Sequence, residues 1–257
     1  SFVENSVITP NQSRLWPACA CAIMLGAGPL FAADWPTFRG SDRSGVSSET
    51  DLLQSWPEAG PQLRWQAQGA GRGYASAAIA DGRVYTLGDG SSLADDDDEY
   101  LTCFSDADGK MIWSTKTGSA WDEGQPTWQG SRATPTVDGD RVYVLTPAGG
   151  LYCCATSDGD VLWKHDLKAD FGGKKADQWG YSESPLVDGD NVVCTPGGEQ
   201  STMIALNKLN GNLVWTAIHP GDQGAGHSSI VPTEFAGTKM YIQNTAGGPI
   251  SVAADTG

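Results

Sequence analysis

Four tryptophans recur along this 257-residue chain at an almost constant spacing. They are Trp65, Trp113, Trp163 and Trp215, and successive members are 48, 50 and 52 positions apart. The last three each end a short apolar segment that begins with glycine. A period near 50 residues built from strand-like units is typical of a β-propeller, in which each repeat forms one blade. The spacing therefore predicts an all-β fold.

Each repeat contains the same series of short segments rich in Val, Tyr, Ile and Thr, separated by Asp-Gly or Asn-Gly pairs such as Asp158-Gly159. These pairs accept the positive φ angles that tight antiparallel turns require. The pattern predicts four-stranded antiparallel blades with almost no helix: three full blades, most of a fourth, and a detached strand at residues 62–67. An incomplete ring would expose a sheet edge, so we expect the sequence to be part of a longer protein.

The order of turns and long connections predicts where a binding site would lie. Because strands alternate in direction, the tight turns fall on one face and the long loops on the other, and functional residues are common on long loops. Glycine followed by a variable residue begins each innermost strand, near the axial end of the loop face. Six candidate binding residues follow from this position: Tyr74, Arg132, Trp179, Tyr181, Glu183 and His227. The alternative is structural, with Arg132 and Glu183 paired to each other and the loop tryptophans, including Trp128, holding the loops in place.

Charge and metal-ligand spacing exclude some functions. The formal net charge is −15, which argues against a nucleic-acid partner because such binding needs clustered Lys and Arg. The acidic run at residues 95–99 is interpreted as a solvated loop, with calcium binding as the alternative. The three histidines share no metal-ligand spacing, so no metal site is predicted.

The N-terminal region has the composition of an export signal. Residues 15–33 are apolar and follow Arg14, as in a secretory signal peptide; a retained membrane anchor is the alternative. The predicted organisation is a signal peptide at residues 1–33, an N-terminal segment at 34–61 and a partial propeller domain at 62–257. A periplasmic or secreted location follows, without a membrane span once the signal is removed.

Three segments carry a family resemblance. The repeat unit at residues 205–215, the opening at residues 34–47 and the segment at residues 179–198 resemble the PQQ-like propellers, in particular a bacterial secreted, BamB-like branch. This resemblance implies an eight-bladed ring, of which about four blades are present here. It also implies that Trp65, Trp113, Trp163 and Trp215 are structural residues that dock each blade against its neighbour.

The resemblance leaves two functions open. BamB-like members bind protein partners without a cofactor, whereas quinoprotein dehydrogenases use PQQ and calcium to oxidise alcohols or sugars. The adjacent Cys153 and Cys154 resemble the disulfide of the dehydrogenases, but they lie within a strand, where successive side chains point to opposite faces. The sequence therefore favours a non-enzymatic scaffold, without a cofactor, that binds a protein or polysaccharide on the long-loop face. A PQQ- and calcium-dependent alcohol or sugar dehydrogenase is the alternative.

Overall fold

Four antiparallel sheets follow one another along the chain, as the repeat predicts. The computed structural model describes residues 33–90, 97–122, 128–221 and 224–257. The predicted signal peptide lies outside these ranges, except for its last residue. Each sheet keeps sequence order from its first strand to its last, so every blade is a simple up-and-down meander.

The strand bounds follow the predicted repeats. Blade 1 contains β1 (Ala78–Ala80), β2 (Arg83–Asp89), β3 (Asp98–Ser105) and β4 (Met111–Ser119). Blade 2 contains β5 (Thr136–Asp138), β6 (Arg141–Leu145), β7 (Gly150–Ala155) and β8 (Val161–Asp166). Blade 3 contains β9 (Leu186–Asp188), β10 (Asn191–Cys194), β11 (Met203–Asn207) and β12 (Leu213–Ala217). Blade 4 contains the three strands β13 (Val231–Phe235), β14 (Thr238–Thr245) and β15 (Gly248–Ala253).

A single five-residue helix, α1 (Leu167–Phe171), accounts for the α-helix in the described ranges. The Asp166 side chain accepts hydrogen bonds from the backbone N–H groups of Lys168 and Ala169 and so caps its first turn. Gly172 ends it with a φ of 66°. In the part of the chain that is described, no helix is long and apolar enough to span a membrane. The prediction of almost no helix is confirmed.

Two details of the predicted strands are wrong. Residues 62–67 form no strand, although Trp65 still reaches blade 1 through its side chain. The innermost strands β1, β5 and β9 are only three residues long. Pro135 and Pro185 immediately precede β5 and β9, and proline has no N–H to donate to a ladder, so these two strands begin late.

Neighbouring blades are joined by buried apolar clusters. One cluster lies between blades 1 and 2, a second between blades 2 and 3, and a third between blades 3 and 4. Cys154 belongs to the first cluster and Cys153 to the second, and both thiols are free and buried. The two adjacent cysteines therefore pack on opposite faces of β7.

Each repeat tryptophan contacts the blade that follows it. Trp113, Trp163 and Trp215 each donate their indole N–H to a backbone carbonyl 3.0 Å away in the next blade. Trp65 makes the same contact with the carbonyl of Asp106, at 2.6 Å. A glycine of the following repeat lies against each ring: Gly109, Gly159, Gly211 and Gly257. The recurring Trp and Gly are thus two halves of one interblade contact.

The N-terminal segment crosses the innermost strands. The first strands of blades 1, 2 and 3 contact one another in series, which places them on the inner side of the arrangement. Trp35 forms an isolated bridge with Ile79 of β1, and the carbonyl of Pro36 accepts the N–H of Val137 in β5. Arg43 continues this path by donating to the carbonyls of Ser184, Pro185 and Ile230. We call residues 35–45 the axial loop, because they contact all four blades.

Candidate functional site

Three partly exposed aromatic rings lie together where long connections meet the innermost segments. Tyr74 and Trp128 are stacked with ring centroids 6.1 Å apart, and Trp179 meets Trp128 edge-on at 6.2 Å. Tyr74 is 53% exposed and Trp128 is 54% exposed. We call Tyr74, Trp128 and Trp179 the aromatic cluster. Exposed, rigid aromatic side chains of this kind are enriched at the energetic centres of binding surfaces.

Arg132 lies against the aromatic cluster. Its guanidinium carbon is 5.6 Å from the centroid of the Tyr74 ring, a cation–π distance. The guanidinium also donates to the carbonyls of Gly130 and Trp128, and partial burial lowers its pKa. The alternative that paired Arg132 with Glu183 does not occur, because Arg132 instead donates to these carbonyls of its own blade and loop. These bonds hold the guanidinium in place beside the rings.

A chain of polar side chains links blades 3 and 4 beside the cluster. The Ser182 Oγ lies 2.6 Å from Nδ1 of His227, and Nε2 of His227 lies 2.8 Å from an oxygen of Asp177. Asp177 also accepts the backbone N–H of Trp179 at 2.9 Å. Burial opposes ionisation of Asp177, but the bonds from Trp179 and His227 prevail and hold its pKa below the ordinary value. This hydrogen-bonded chain fixes His227 and anchors Trp179.

Lys175 adds a positive charge to the same region. Its Nζ donates to the carbonyls of Ala225 and Gly226, each at 2.9 Å. Burial lowers the pKa of Lys175 to about 8. The ammonium lies 5.6 Å from the centroid of the Tyr181 ring. Lys175 therefore joins blade 3 to the start of blade 4 while keeping a basic group near the loop face.

Two of the six predicted site residues lie inside the fold. Tyr181 is fully buried and donates its hydroxyl to the carbonyl of Pro196 at 2.8 Å. Glu183 is 2% exposed; its Oε2 accepts the N–H of Thr195 at 2.8 Å, and its Oε1 has no hydrogen-bond partner. Burial raises the pKa of Glu183 to about 7. These positions leave no accessible surface for a ligand, since both side chains point into the packed interior.

The acidic run is not simply a solvated loop. Asp95 and Asp96 lie outside the described residues, Asp97 is exposed and Asp98 pairs with Lys116. Glu99 begins the buried part of β3 and accepts hydrogen bonds from Thr117 and Ser131. Burial raises the pKa of Glu99 to about 7. The prediction is therefore wrong for Glu99, which belongs to the junction of blades 1 and 2.

The side chains of the described residues do not fit a calcium–quinone site. Among those residues no three His, Cys, Asp or Glu side chains are grouped so that they could hold a metal ion. Glu183, the one axial carboxylate that the sequence offered, is buried beside Arg43 and bonded to Thr195. Cys153 and Cys154 point into different interblade cores, so they cannot together cover a quinone. We therefore derive no chemistry through such a group.

The structure brings together Tyr74, Arg132, Trp179 and His227, and it adds residues that the sequence did not indicate. Ser182 and Asp177 were missed as partners of His227, and Trp128 was considered only as a loop support. A signal for the first two was available. Ser182 and Asp177 lie 45 and 50 positions before His227, close to one repeat period, and residues one period apart are neighbours on adjacent blades.

Comparisons with known proteins agree with this architecture. The model of the family described as outer membrane protein assembly factor BamB matches residues 97–257. The quinohemoprotein alcohol dehydrogenase ADHIIG from Pseudomonas putida HK5 is similar with a TM-score of 0.60 and 18% identity, over 87% of this chain and 39% of that one. The corresponding enzyme from Comamonas testosteroni gives 0.59 and 16%, over 87% and 40%.

BamB from Moraxella catarrhalis is similar with a TM-score of 0.44 and 15% identity, over 76% of this chain and 54% of that one. No curated protein matches the sequence. This chain spans about two fifths of the length of the two dehydrogenases, at 39% and 40%. At these identities the dehydrogenase structures establish the propeller fold and nothing about chemistry.

Proposed function

The chain belongs to the family of the outer membrane protein assembly factor BamB, and from this premise we propose that it is a non-enzymatic propeller of the cell envelope that binds a protein partner. The observation that supports the proposal is the aromatic cluster with Arg132 beside it. Solvent-exposed rings held by a rigid scaffold lose little entropy on binding, so they contribute more than flexible side chains of equal area. A periplasmic or secreted location belongs to the same proposal.

Site-specific cross-linking in cells tests the partner surface. A photoreactive amino acid replaces Asp122, an exposed residue whose carbonyl accepts a bond from Gln129 next to Trp128, so the aromatic cluster stays intact. We expect a discrete cross-linked species in the envelope fraction. The matched control position is Leu209, which is exposed in the tight turn between β11 and β12, on the opposite face.

A second variant tests whether the cross-link depends on the rings of the aromatic cluster. Trp128→Ala in the Asp122 reporter should remove most of the cross-link, because it deletes the central ring of the cluster. Equal cross-linking from positions 122 and 209, or a cross-link that survives Trp128→Ala, would contradict the proposal. A polysaccharide could use the same ring faces. In that case, protease digestion would reduce the protein to the cross-linked peptide and leave the polysaccharide attached to it.

The proposal carries an expectation about cofactors. After incubation with PQQ and calcium, we expect no dye-linked oxidation of alcohols or aldoses. A quinone cofactor supplies electrophilic redox chemistry but needs a Lewis-acid cation and a base from its surroundings. Substrate-dependent dye reduction that is lost in Glu183→Gln would overturn the non-enzymatic assignment in favour of the dehydrogenase.

A further inference from the structure

A cavity of about 260 Å³ lies between the axial loop and the innermost segment of blade 4. Phe38, Ile230 and Val231 give it apolar walls. Ser228, Ser229 and His227 add polar groups along the blade 4 side. The cavity includes none of the three rings of the aromatic cluster, but it shares His227 with the hydrogen-bonded chain that anchors Trp179.

The charged residues that line the cavity have one sign, although Glu183 lies beside Arg43 outside the lining. Arg39 and Arg43 both line the cavity, and no acidic residue does, although the whole chain carries 31 Asp and Glu against 16 Lys and Arg. In a protein of such negative charge, a concave site lined by two arginines and no carboxylate selects for anions.

Arg43 has one guanidinium donor without a partner in the described part of the chain. Its side chain is only 7% exposed, and its terminal nitrogens donate to neutral oxygens: the carbonyls of Ser184, Pro185 and Ile230, with a longer bond to the Thr37 hydroxyl. Its Nε is buried and has no hydrogen-bond partner among the described residues. A buried guanidinium N–H without an acceptor is costly, so Arg43 keeps an unmade hydrogen bond close to the cavity that its side chain lines.

Arg39 is held differently. Its guanidinium carbon lies 5.4 Å from the centroid of the Phe38 ring, and the exposed residue has no ion-pair partner among the described residues. Arg39 and Arg43 have φ angles of 63° and 57°, in the left-handed region that non-glycine residues avoid. The axial loop thus keeps two strained arginines at one cavity, and such strain is concentrated at functional sites.

We propose that this cavity binds a carboxylate that carries a short, branched apolar substituent. The carboxylate would meet Arg43 and Arg39, and the apolar part would lie against Phe38, Ile230 and Val231. At about 30 Å³ per water molecule, the cavity has room for a ligand the size of one leucine residue. The same chemistry occurs in a free organic acid and at the C-terminus of a polypeptide that ends in an aliphatic residue.

Calorimetric titration of the protein tests this site with defined probes. N-acetyl-leucine is compared with N-acetyl-leucinamide, which keeps the shape and removes the charge. A hexapeptide ending in leucine is then compared with its C-terminal amide. We expect each acid to bind at least about tenfold more tightly than its amide, because only the carboxylate pairs with the guanidinium groups. A peptide acid that binds more tightly than N-acetyl-leucine would identify polypeptide ends as the ligand, and equal affinities would identify the small acid.

Two variants assign binding to the cavity without touching Arg43, whose carbonyl contacts hold the axial loop. Arg39→Gln should weaken binding of the acids at least about fivefold, whereas Arg64→Gln, at an exposed arginine outside the cavity, should leave it unchanged. Val231→Glu should abolish binding, whereas Val214→Glu, at a strand residue with the same 50% exposure, should not. Equal affinity for acid and amide, no binding by either, or unchanged binding in Arg39→Gln would overturn the proposal.

Discussion

Glu183 holds a proton in the folded protein over a range of pH in which an exposed glutamate is ionised. Burial raises its pKa from 4.5 to about 7. The stabilisation that this group contributes is therefore fully present below pH 4.5 and is lost as the pH rises through about 7. We expect the stability of Glu183→Gln relative to the parent to be higher at pH 8 than at pH 5, by roughly 2–3 kcal/mol.

Denaturant unfolding of both proteins at the two pH values measures this difference. Glu58→Gln is the matched control, since Glu58 is exposed and the substitution should change stability equally at pH 5 and pH 8. Glu99 has the same direction of shift, but it is present in both proteins and cancels in the comparison. A difference that does not vary with pH would show that Glu183 is ionised in the folded state.

At the scale of elements, two glycines of blade 2 allow two free-energy costs to be measured separately. One is the cost of strain in a turn, and the other is the cost of disturbing the contact between two blades. Gly139 and Gly159 both have positive φ, at 57° and 81°. A Cβ on Gly139 would meet nothing within 4 Å, whereas a Cβ on Gly159 would overlap the Thr115 hydroxyl and lie 2.6 Å from a carbon of the Trp113 ring. We expect Gly139→Ala to cost about 1 kcal/mol of unfolding free energy from backbone strain alone. Gly159→Ala should cost about 3 kcal/mol, because the Trp113 ring and the Thr115 side chain must also move.

Thermal or denaturant unfolding checks both values, and equal destabilisation would mean that the Trp–Gly contact does not hold the blades together.

The same Trp–Gly contact shows how much of the fold the sequence predicts. Gly159 and Trp113 follow from a local period, so blades and turns were accessible from the sequence. The contact of Ser182 with His227 also follows the repeat period, because the two residues lie 45 positions apart. The contact of Arg43 with Ile230 joins parts of the chain that are 187 positions apart, and no local pattern in the sequence records it.

For the whole molecule, stability should be organised blade by blade. Each interblade core joins only neighbouring sheets, as in repeat proteins whose stability is a sum of nearest-neighbour terms. Replacing Trp113 by Ala removes a buried ring from the junction of blades 1 and 2, at a cost of about 3–5 kcal/mol. We expect amide hydrogen exchange in this variant to rise first in β2–β7 and least in β14. A uniform rise across all four blades would instead show that the molecule opens as one cooperative unit.

The axial loop also has a consequence for the order of events during synthesis. Arg43 donates to the carbonyl of Ile230, which lies 187 positions further along the chain. At about 5–20 residues per second, the ribosome delivers Ile230 roughly 10–40 s after Arg43. Blades 1 to 3 can form in that interval, while the guanidinium of Arg43 stays hydrated. Docking of the axial loop onto blade 4 is then a late step of folding, although the loop is synthesised before the four blades.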